Sequence, residues 1–497
     1  MHDANCTLRC LTRLSELTSS QLLLQLWPVV LRIGRLVHRF RNQPPSPAAM
    51  YDFEVELADL LREAGRLIVQ WTLNHLEARD RQSMTSELFY QHDHYRCKRL
   101  SPTRNLNCLF GKIRVWRWLY EPTEMALPAL FPLELQLGWV AGVATPALAD
   151  RVAQLVVDFS QRQVLTILRE QHQVTWGVVT LRKVTAAMAE AMTPFRHAAQ
   201  VEQLLAWLKA AVAEGGPRRI VLSVGRDGLM LPIRKSLKYK EGAVGTVSVF
   251  NRWGRRLGTV YLGQMPQSGQ TQLSDQLTRL IGDVLTAWEG PDLRLVYVTD
   301  AGFHCRDYFE RVLCRMIDPQ RPGQLLQWEW VVDYYHACQY VSRLGEAIFG
   351  PGRAAHAWSA KMRRWLKEKP GGVYRVLRSA GALCSIRGLV GEESDYTSAY
   401  NFLRRHARSM DYSRYRRQRT PIGSGVTEAG CKIVFTQRFK RAGMKWNIED
   451  GRPVLSLRVI ALSGIWSTVR HAMLNSQSVT QLRTPSKLYE NEDQIAA

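Results

Sequence analysis

The spacing of hydrophobic positions divides the chain into helical and strand-forming stretches. Residues 1–50 predict an N-terminal tail or helix, in which LLLQLWPVVLRIG (22–34) is too short to span a bilayer and predicts a buried helix. Residues 52–80 carry apolar side chains near helical spacing and predict a long amphipathic helix. From 86 to 120 the pattern becomes rich in β-branched and aromatic residues, which favours strands. We therefore expect residues 51–145 to form a helix followed by a small β region.

Residues 146–212 predict helices with the spacing of a helix-turn-helix motif. A helix over 160–169, the break QHQVT and a second helix with Thr175 as its N-cap produce that spacing. Arg182 and Lys183 belong to the second helix and are candidates for DNA contact. Two helices that simply pack together give the same pattern, so both interpretations stay open.

After the linker AEGGPRR, the order of the elements is typical of a mixed α/β domain. The predicted order is a strand (219–231), a hairpin (243–265), a helix capped by Ser274 (274–289), a strand (293–300), a helix (306–317) and a strand (326–336). Residues 217–336 therefore predict a mixed sheet with helices on its faces. The remaining segments predict an all-helical insertion (337–419), final helices (420–470) and a C-terminal tail (471–497).

The charge balance points to a polyanionic partner. The chain has 67 Lys and Arg against 44 Asp and Glu, a net charge of +23, and nucleic acid is the first partner class to consider. The excess is spread along the chain instead of lying on one amphipathic helix, which disfavours a membrane surface. The nine cysteines include no CxxC pair, so neither a zinc ribbon nor a disulfide framework is indicated. We expect a cytoplasmic, nucleoid-associated protein.

Three carboxylates stand out by their positions. Asp227 lies near the end of the first strand, Asp300 ends a later strand, and Glu428 follows IGSG. Acids from two strand ends and one helix can converge on one edge of a sheet, where divalent cations turn them into ligands. Two Mg²⁺ (or Mn²⁺) ions held in this way can drive an in-line phosphodiester displacement. A single Asp at a strand end is more often a loop cap, but three acids in this order favour catalysis.

Asp333 and His336 leave an alternative open. Asp333 also lies near a strand end, so either Asp300 or Asp333 satisfies the chemistry of a middle ligand. His336 follows three residues later and is a candidate metal ligand or proton carrier. A histidine at a strand-to-helix junction also serves as a structural hydrogen-bond partner.

Four motifs resemble the DDE transposases of bacterial insertion sequences, and most closely the Kra-type group related to Mutator-like elements. They are RDGLMLPIR, VYVTDAGFH, VVDYYHACQYV and PIGSGVTEAGCKIVFTQRFKRAGMKW. The last is the most specific, because GSGxxEA is followed by a basic helix that ends in GMKW. In weaker form the resemblance extends over residues 52–470.

The resemblance implies an α/β RNase H-like catalytic core with the triad Asp227, Asp300 and Glu428. It makes Asp333 and His336 the DxxH signature, outside the triad. It also implies a helical insertion before the last acid and a helical and β N-terminal DNA-binding region. After Asp300 this chain reads Ala-Gly-Phe-His, where the family commonly has Gly-Ala and then a tryptophan.

The expected function is that of a transposase. It would bind terminal inverted repeats, cut the strand with metal-activated water and join the 3′-hydroxyl to target DNA, as a homodimer or larger synaptic complex. The alternatives are a metal-dependent nuclease without strand transfer and a catalytically idle, sequence-specific DNA-binding protein. Besides Arg182 and Lys183, the candidates for phosphate contact are Arg363, Arg364, Lys432, Arg438, Lys440, Arg441 and Lys445. Five aromatics are candidates for base stacking or for the core: Trp358, Trp365, Tyr412, Tyr415 and Trp446.

Overall fold

A computed structural model describes residues 3–91, 93–124, 127–236, 238–387 and 395–477. The end of the expected C-terminal tail, 478–497, and part of the expected insertion, 388–394, lie outside the described residues. The chain divides into two compact units, one formed by Met1–Ala191 with His471–Ala497 and the other by Met192–Arg470. The boundary falls inside a helix, upstream of the linker that the sequence suggested.

The helices and strands follow in chain order. The helices are α1 (Asp3–Asn42), α2 (Pro47–Leu73), α3 (Pro132–Gln136), α4 (Pro146–Asp158), α5 (Gln161–His172), α6 (Val178–Ala213), α7 (Thr271–Ala287), α8 (Phe303–Arg311), α9 (Tyr334–Phe349), α10 (Arg353–Glu368), α11 (Gly372–Arg387), α12 (Asp395–Arg405), α13 (Tyr412–Arg417), α14 (Gly425–Cys431), α15 (Gln437–Phe439), α16 (Ile448–Leu462) and α17 (Trp466–Gln477). The strands are β1 (Glu87–Tyr90), β2 (Asp93–Pro102), β3 (Asn107–Cys108), β4 (Gly111–Lys112), β5 (Trp116–Pro122), β6 (Val221–Leu231), β7 (Lys240–Phe250), β8 (Arg256–Gln264), β9 (Arg294–Thr299) and β10 (Trp328–Val332).

In the first unit, α1 and α2 pack against each other and a three-stranded sheet follows. Val29, Leu36 and Leu60 are buried between the two helices. The antiparallel sheet has the order β1-β2-β5, which agrees with the expected small β region. The expectation that 22–34 is a buried helix is wrong in part: it is helical, but Leu24 is 73% exposed. Between residues 20 and 42, where its side chains are described, most residues of α1 are exposed.

The expected helix-turn-helix spacing is present with a shifted second helix. Ser160 and Gln163 form a capping box that begins α5, and Gln173 ends it in the left-handed conformation. The second helix, α6, begins at Val178, so Thr175 lies in the turn and is not its N-cap. The turn is thus longer than the sequence indicated. Whether these helices contact DNA stays a prediction.

The second unit is built on a five-stranded mixed sheet with the order β10-β9-β6-β7-β8. The strands β6, β7 and β8 form an antiparallel meander, while β9 and β10 run parallel to β6. The expected mixed α/β organisation is confirmed. One detail differs: α7 begins at Thr271, and Ser274 lies inside the helix, where its Oγ accepts a hydrogen bond from Arg226 at 2.8 Å. Ser274 is therefore not the N-cap.

Hydrophobic cores cover both faces of this sheet. On one face, residues such as Leu222, Val224 and Tyr297 pack against α6, α7 and α8. On the other face, Val296, Val298 and neighbouring side chains pack against the helical segment α9–α13. Each fully buried aliphatic side chain contributes about 1.5–3 kcal/mol. The described part of the segment between β10 and α14 is helical, as expected for an insertion.

The sequence suggested one long basic helix that ends in GMKW, but the region 420–446 is divided into shorter elements. A helical run begins with α14, continues through a π-helical turn at Lys432–Thr436 and ends with α15 at Phe439. Lys440, Arg441 and Lys445 lie in the following turn, whose last residue Trp446 is bridged to Ile233. Within the described part of the chain, no helix is long and apolar enough to cross a membrane.

Candidate active site

The strand register sets Asp227 and Asp300 side by side. The parallel pairing of β6 with β9 runs from Val221–Arg294 to Gly225–Val298. Asp227 and Asp300 lie two residues beyond this last pair, one along each strand direction. Because side chains alternate along a strand, they lie on the same side of the sheet as Gly225 and Val298. The carboxylate of Asp227 also experiences the negative charge of Asp300. Neighbouring strands therefore bring the two sequence-predicted acids to one edge of the sheet.

Glu428 reaches the same edge because α14 lies directly on the sheet. At Gly225 a Cβ atom would stand 1.9 Å from Thr427 Oγ1, so only glycine permits this approach of α14 to β6. The hydroxyls of Thr246 and Thr427 are hydrogen-bonded at 2.8 Å and tie the helix to β7. Glu428, the next residue, is exposed, and its charge raises the pKa of Asp227. All three acids thus belong to one electrostatic cluster.

The carboxyl group of Asp227 is half-buried and held by two donors. The backbone N–H of Gly228 donates to its Oδ1 at 2.7 Å, and the Cys431 thiol donates to its Oδ2 at 3.4 Å. Burial is the main cause that raises the pKa of Asp227 to about 6, and the charges of Asp300 and Glu428 add to it. Burial also raises the pKa of Cys431, so its thiol stays protonated and donates at neutral pH. The sequence reasoning missed Cys431, although its position three residues after Glu428 placed it on the same helical turn.

The backbone after Asp300 is folded tightly. Gly302 N–H donates to Asp300 Oδ1 at 2.9 Å, and Ala301 N–H donates to Thr299 Oγ1 at 3.2 Å. Between them Ala301 has a φ of +66°, in the left-handed region that favours glycine. Ala301 is therefore a residue whose backbone conformation is strained. This turn aims the Asp300 carboxylate while fixing one of its oxygens.

A serine connects Glu428 to a buried aspartate. Ser424 Oγ lies 2.8 Å from Glu428 Oε1 and 2.5 Å from Asp333 Oδ2. A hydroxyl has one hydrogen and donates to one of these carboxylates at a time. Ser424 also donates its backbone N–H to Asp333. The serine, four residues before Glu428 in the chain, was another position that the sequence reasoning did not single out.

Asp333 serves the framework of the site. It is 0% exposed and caps α9, accepting from the backbone N–H of His336 at 2.8 Å. With both oxygens engaged by donors, Asp333 is a poor candidate for a metal ligand, which favours Asp300 as the middle acid. The half-buried ring of His336 packs edge-on against Tyr340 and Phe402. Its surroundings fit the structural interpretation.

The chemistry of the three carboxylates fits a divalent cation, since Mg²⁺ prefers hard oxygen ligands. Burial, together with the charges of Asp300 and Glu428, raises the pKa of Asp227, and a cation would relieve the repulsion between these carboxylates. As the side chains stand, no group of three or more His, Cys, Asp or Glu among the described residues is arranged to hold a metal ion. The carboxylates would have to turn toward one another to share one.

Most of the predicted phosphate contacts are exposed, but two are not available. Arg438 is 1% exposed, and its guanidinium lies over the ring of Trp446 at 4.9 Å, so it belongs to the core. Arg363 is half-buried and donates to Ser342 Oγ at 2.9 Å. The exposed candidates are Arg182, Lys183, Arg364, Lys432, Lys440, Arg441 and Lys445.

The sequence reasoning missed a basic loop beside the acids. The sequence RKSLKYK follows β6 and ends with Lys240, the first residue of β7; its first residue, Arg234, donates its backbone N–H to the Trp446 carbonyl at 2.9 Å and so joins the turn at 440–446. We call the combined surface the basic surface; it comprises Arg234, Lys235, Lys238, Lys240, Lys440, Arg441 and Lys445, all exposed. The local density of bases in RKSLKYK was the signal that could have revealed it.

Three of the five aromatic residues that were candidates for base stacking are buried. Tyr412 and Tyr415 are 0% and 1% exposed and Trp446 is 8% exposed, so these three are core residues. Two other aromatics project at the site: Phe303, which follows the Asp300 turn, is 70% exposed, and Tyr335, which touches Gly423, is 65% exposed.

A cavity of about 1020 Å³ lies at the opposite end of the parallel strands. Arg294 and Trp328, the first residues of β9 and β10, line it, whereas Asp300 follows the last residue of β9. This cavity is therefore separate from the three acids.

No protein-family model and no curated protein matches this chain.

Proposed function

We propose that the second unit is an RNase H-like core and that the protein is a divalent-metal-dependent DNA transposase. The support for the fold is the strand order β10-β9-β6-β7-β8, with an antiparallel meander followed by two strands parallel to the first. A helical segment separates the last strand from the helix that carries Glu428. This is the arrangement that the resemblance to DDE transposases implies.

The observation that carries the function is the convergence of three acids distant in sequence. The β6–β9 register sets Asp227 beside Asp300, and the close approach of α14 at Gly225 adds Glu428. Burial of the Asp227 carboxyl beside two other carboxylates opposes folding, and an acid whose pKa is raised in this way at a sheet edge is typical of active sites. The basic surface beside them offers contacts for a phosphate backbone.

Each residue has a distinct role in this proposal. Asp227, Asp300 and Glu428 would hold Mg²⁺ or Mn²⁺, which supplies Lewis-acid stabilisation of the phosphodiester oxygens and activates the attacking hydroxyl. The Cys431 thiol orients Asp227, and the Ser424 hydroxyl orients Glu428 from the buried Asp333. The turn at Ala301 fixes Asp300. These contacts position the three acids, because they restrict the orientations in which the carboxylates would bind a cation.

The test is cleavage and strand transfer on duplex DNA that carries the inverted repeats flanking the gene. The parent chain should cut the repeat end and join it to a second duplex with Mg²⁺ or Mn²⁺. Asp227→Asn, Asp300→Asn and Glu428→Gln should each lower both steps by at least about 10³-fold, as expected for removal of a metal ligand or charge. Asp292→Asn, at a 68% exposed side chain away from the acids, is the matched control.

Three outcomes separate the candidate functions. Cleavage without joining would favour the metal-dependent nuclease. Sequence-specific binding without any cleavage would favour the idle DNA-binding protein. Full activity in the three carboxylate variants would refute the catalytic assignment itself.

A further inference from the structure

The turn between β7 and β8 is basic, and a buried asparagine orders it. The turn reads NRWGRR over 251–256. Asn251 is 2% exposed, and its Oδ1 accepts the backbone N–H groups of Trp253 at 3.0 Å and Arg255 at 2.9 Å. The amide nitrogen of Asn251 donates to Glu214, which also accepts from the Arg255 guanidinium at 2.6 Å. These contacts fix the path of the turn.

The indole ring of Trp253 projects from this turn and is 58% exposed. One edge of the ring lies on the linker that precedes β6, because a Cβ atom at Gly216 would stand 3.1 Å from Trp253 Nε1 and 2.6 Å from Arg252 Cβ. Gly216 has a φ of +128°, which favours glycine. The ring is therefore held at one edge, while more than half of the side chain stays open to solvent.

Arginines from three segments of the chain lie around Trp253. Arg419 packs on the turn, since a Cβ atom at Gly254 would stand 3.0 Å from Arg419 Cβ. Arg218 belongs to the linker that carries Gly216, and Arg256 begins β8. We call the combined surface the hairpin surface; it comprises Arg218, Arg252, Trp253, Arg255, Arg256 and Arg419.

The hairpin surface lies at the end of the sheet opposite the acids. Val221, the first residue of β6, pairs with Phe250 immediately before the turn, whereas Asp227 pairs with Val244. At about 3.3 Å per residue, the two ends of this stretch of β6 are about 20 Å apart. The hairpin surface is therefore separate from the acids and from the basic surface that begins at Arg234.

We propose that the hairpin surface binds an unpaired strand of nucleic acid, with one base stacked on Trp253 and the neighbouring phosphates held by the arginines. Every base has a π-face that stacks on an aromatic ring, and arginine is well suited to phosphate contacts. A duplex hides these faces between its base pairs and would leave the indole ring without a role. The proposed catalytic function requires only duplex DNA at the acids, so this inference goes beyond it and does not depend on it.

The charge of the hairpin surface selects a polyanion. Among the described residues, Arg255 is the one arginine of this surface that forms an ion pair, with Glu214. The other four guanidinium groups supply positive charge for phosphates. An anionic membrane is disfavoured, because membrane binding scales with the buried apolar area and Trp253 is the only large apolar side chain in 251–256.

Fluorescence anisotropy of a labelled oligothymidylate, without added metal, provides the test. The reference protein is the full chain with glutamine at Lys440, Arg441 and Lys445, so that the basic surface contributes little to binding. Trp253→Ala should weaken binding by about tenfold, as expected for the loss of one stacked base, whereas Trp253→Phe keeps a ring and should retain most of the affinity. Trp27→Ala is the matched control, since Trp27 is also 58% exposed, and it should bind as the reference does.

Two further ligands separate stacking from charge. A duplex of the same length hides its base faces, and heparin is a polyanion without bases, so Trp253→Ala should bind both as the reference does. A salt titration then tests the arginines: glutamine at Arg218, Arg256 and Arg419 should lower the slope of log affinity for the strand against log salt by about two, at about 0.7 for each lost contact. The same replacement at Arg279, Arg311 and Arg375, which are exposed on other elements, should leave the slope nearly unchanged.

The outcomes that oppose the proposal are distinct. A reference protein that does not bind oligothymidylate would overturn it, as would a Trp253→Ala variant of undiminished affinity. Equal losses for the strand, the duplex and heparin would overturn the stacking of a base on Trp253. Binding to phosphatidylglycerol vesicles that Trp253→Ala abolishes, with oligothymidylate binding unchanged, would identify a membrane as the occupant instead. None of these results bears on the carboxylates, because the assay needs no metal.

Discussion

The carboxyl group of Asp227 shows how a single residue connects the fold with the proposed chemistry. It occupies a strand position that would otherwise suit an apolar or neutral side chain, between the peptide of Gly228 and the thiol of Cys431. Burial and two neighbouring negative charges raise its pKa from 3.8 to about 6. The folded protein therefore holds this proton more tightly than the unfolded chain does, and ionisation of Asp227 opposes folding.

Replacement of Asp227 should therefore change the free energy of unfolding by an amount that depends on pH. A raised pKa in the folded state contributes stability that is complete below pH 3.8 and is lost as the pH rises through about 6. We expect Asp227→Asn to raise the free energy of unfolding by about 2 kcal/mol at pH 8 and by much less at pH 4. Urea unfolding of the parent and the variant between these pH values measures the difference.

The effect of Mg²⁺ on the free energy of unfolding provides a control for the role of Asp227. A cation beside the acids favours the ionised carboxylate, so millimolar Mg²⁺ at pH 8 should stabilise the parent and have little effect on Asp227→Asn. Asp292→Asn, at a 68% exposed side chain, should respond to Mg²⁺ as the parent does. If the free energies of unfolding of the parent and Asp227→Asn differ by the same amount at every pH, the raised pKa of Asp227 is not the cause of the difference.

Ala301 offers a second test at the level of one residue. Its φ of +66° costs an alanine roughly 1–2 kcal/mol, whereas glycine adopts it freely but loses more conformational entropy on folding. Ala301→Gly should therefore stabilise the protein by about 0.5–1 kcal/mol in urea unfolding. Ala355→Gly, at a buried alanine in α10, is the contrasting control and should destabilise. Destabilisation by Ala301→Gly would mean that the left-handed turn is not strained.

At the scale of elements, the strands were predictable and the path of the final helical region was not. β6, β9 and β10 are apolar runs bounded by turn residues, and their order in sequence already indicates a mixed sheet. The π-helical turn at Lys432–Thr436 has no simple sequence signature, and it changes which residues face inward. Arg438, two residues after this turn, is buried, although its basic neighbours suggested a surface position. Local patterns specify elements, whereas the burial of one arginine is decided by tertiary packing.

The approach of α14 to the sheet depends on one glycine, which makes it testable. An added methyl at Gly225 collides with Thr427 Oγ1, so Gly225→Ala should displace α14 and destabilise the unit by about 2–3 kcal/mol. Thr427→Ala removes the closest colliding atom, so in that background the same substitution should cost about 1 kcal/mol less, although Thr246 Oγ1, 2.7 Å from the added carbon, still opposes it. Urea unfolding of the two single variants and the double variant measures this coupling.

The same set of variants tests the position of Glu428. If α14 moves away from β6, the charge of Glu428 acts less on Asp227, and strand cleavage should fall with the loss of stability. Gly282→Ala, at a helical glycine where an added Cβ meets nothing within 4 Å, is the matched control and should be neutral or stabilising. Equal costs of Gly225→Ala with and without Thr427 would show that the collision is not what the glycine avoids.

For the whole molecule, the net charge of +23 matters through where it is placed. The basic surface begins at Arg234, three residues after the end of β6 and seven residues beyond Asp227, and includes the turn that follows α15. A phosphate backbone bound along it would pass the acids, with Phe303 and Tyr335 exposed at the same site. The sign of the charge could be predicted from composition, but the contact between Arg234 and the turn at 440–446 is a long-range backbone hydrogen bond that no local pattern indicates.

Salt titration of DNA binding tests this placement. Each lost phosphate contact lowers the slope of log affinity against log salt by about 0.9. Replacement of Lys440, Arg441 and Lys445 by glutamine should therefore lower the slope by about two to three and weaken binding of duplex DNA by tenfold or more. The matched control replaces three exposed arginines on other elements, Arg279, Arg311 and Arg375. If both triple variants lose the same slope, charge acts on DNA through the molecule as a whole, and the basic surface has no special part in binding.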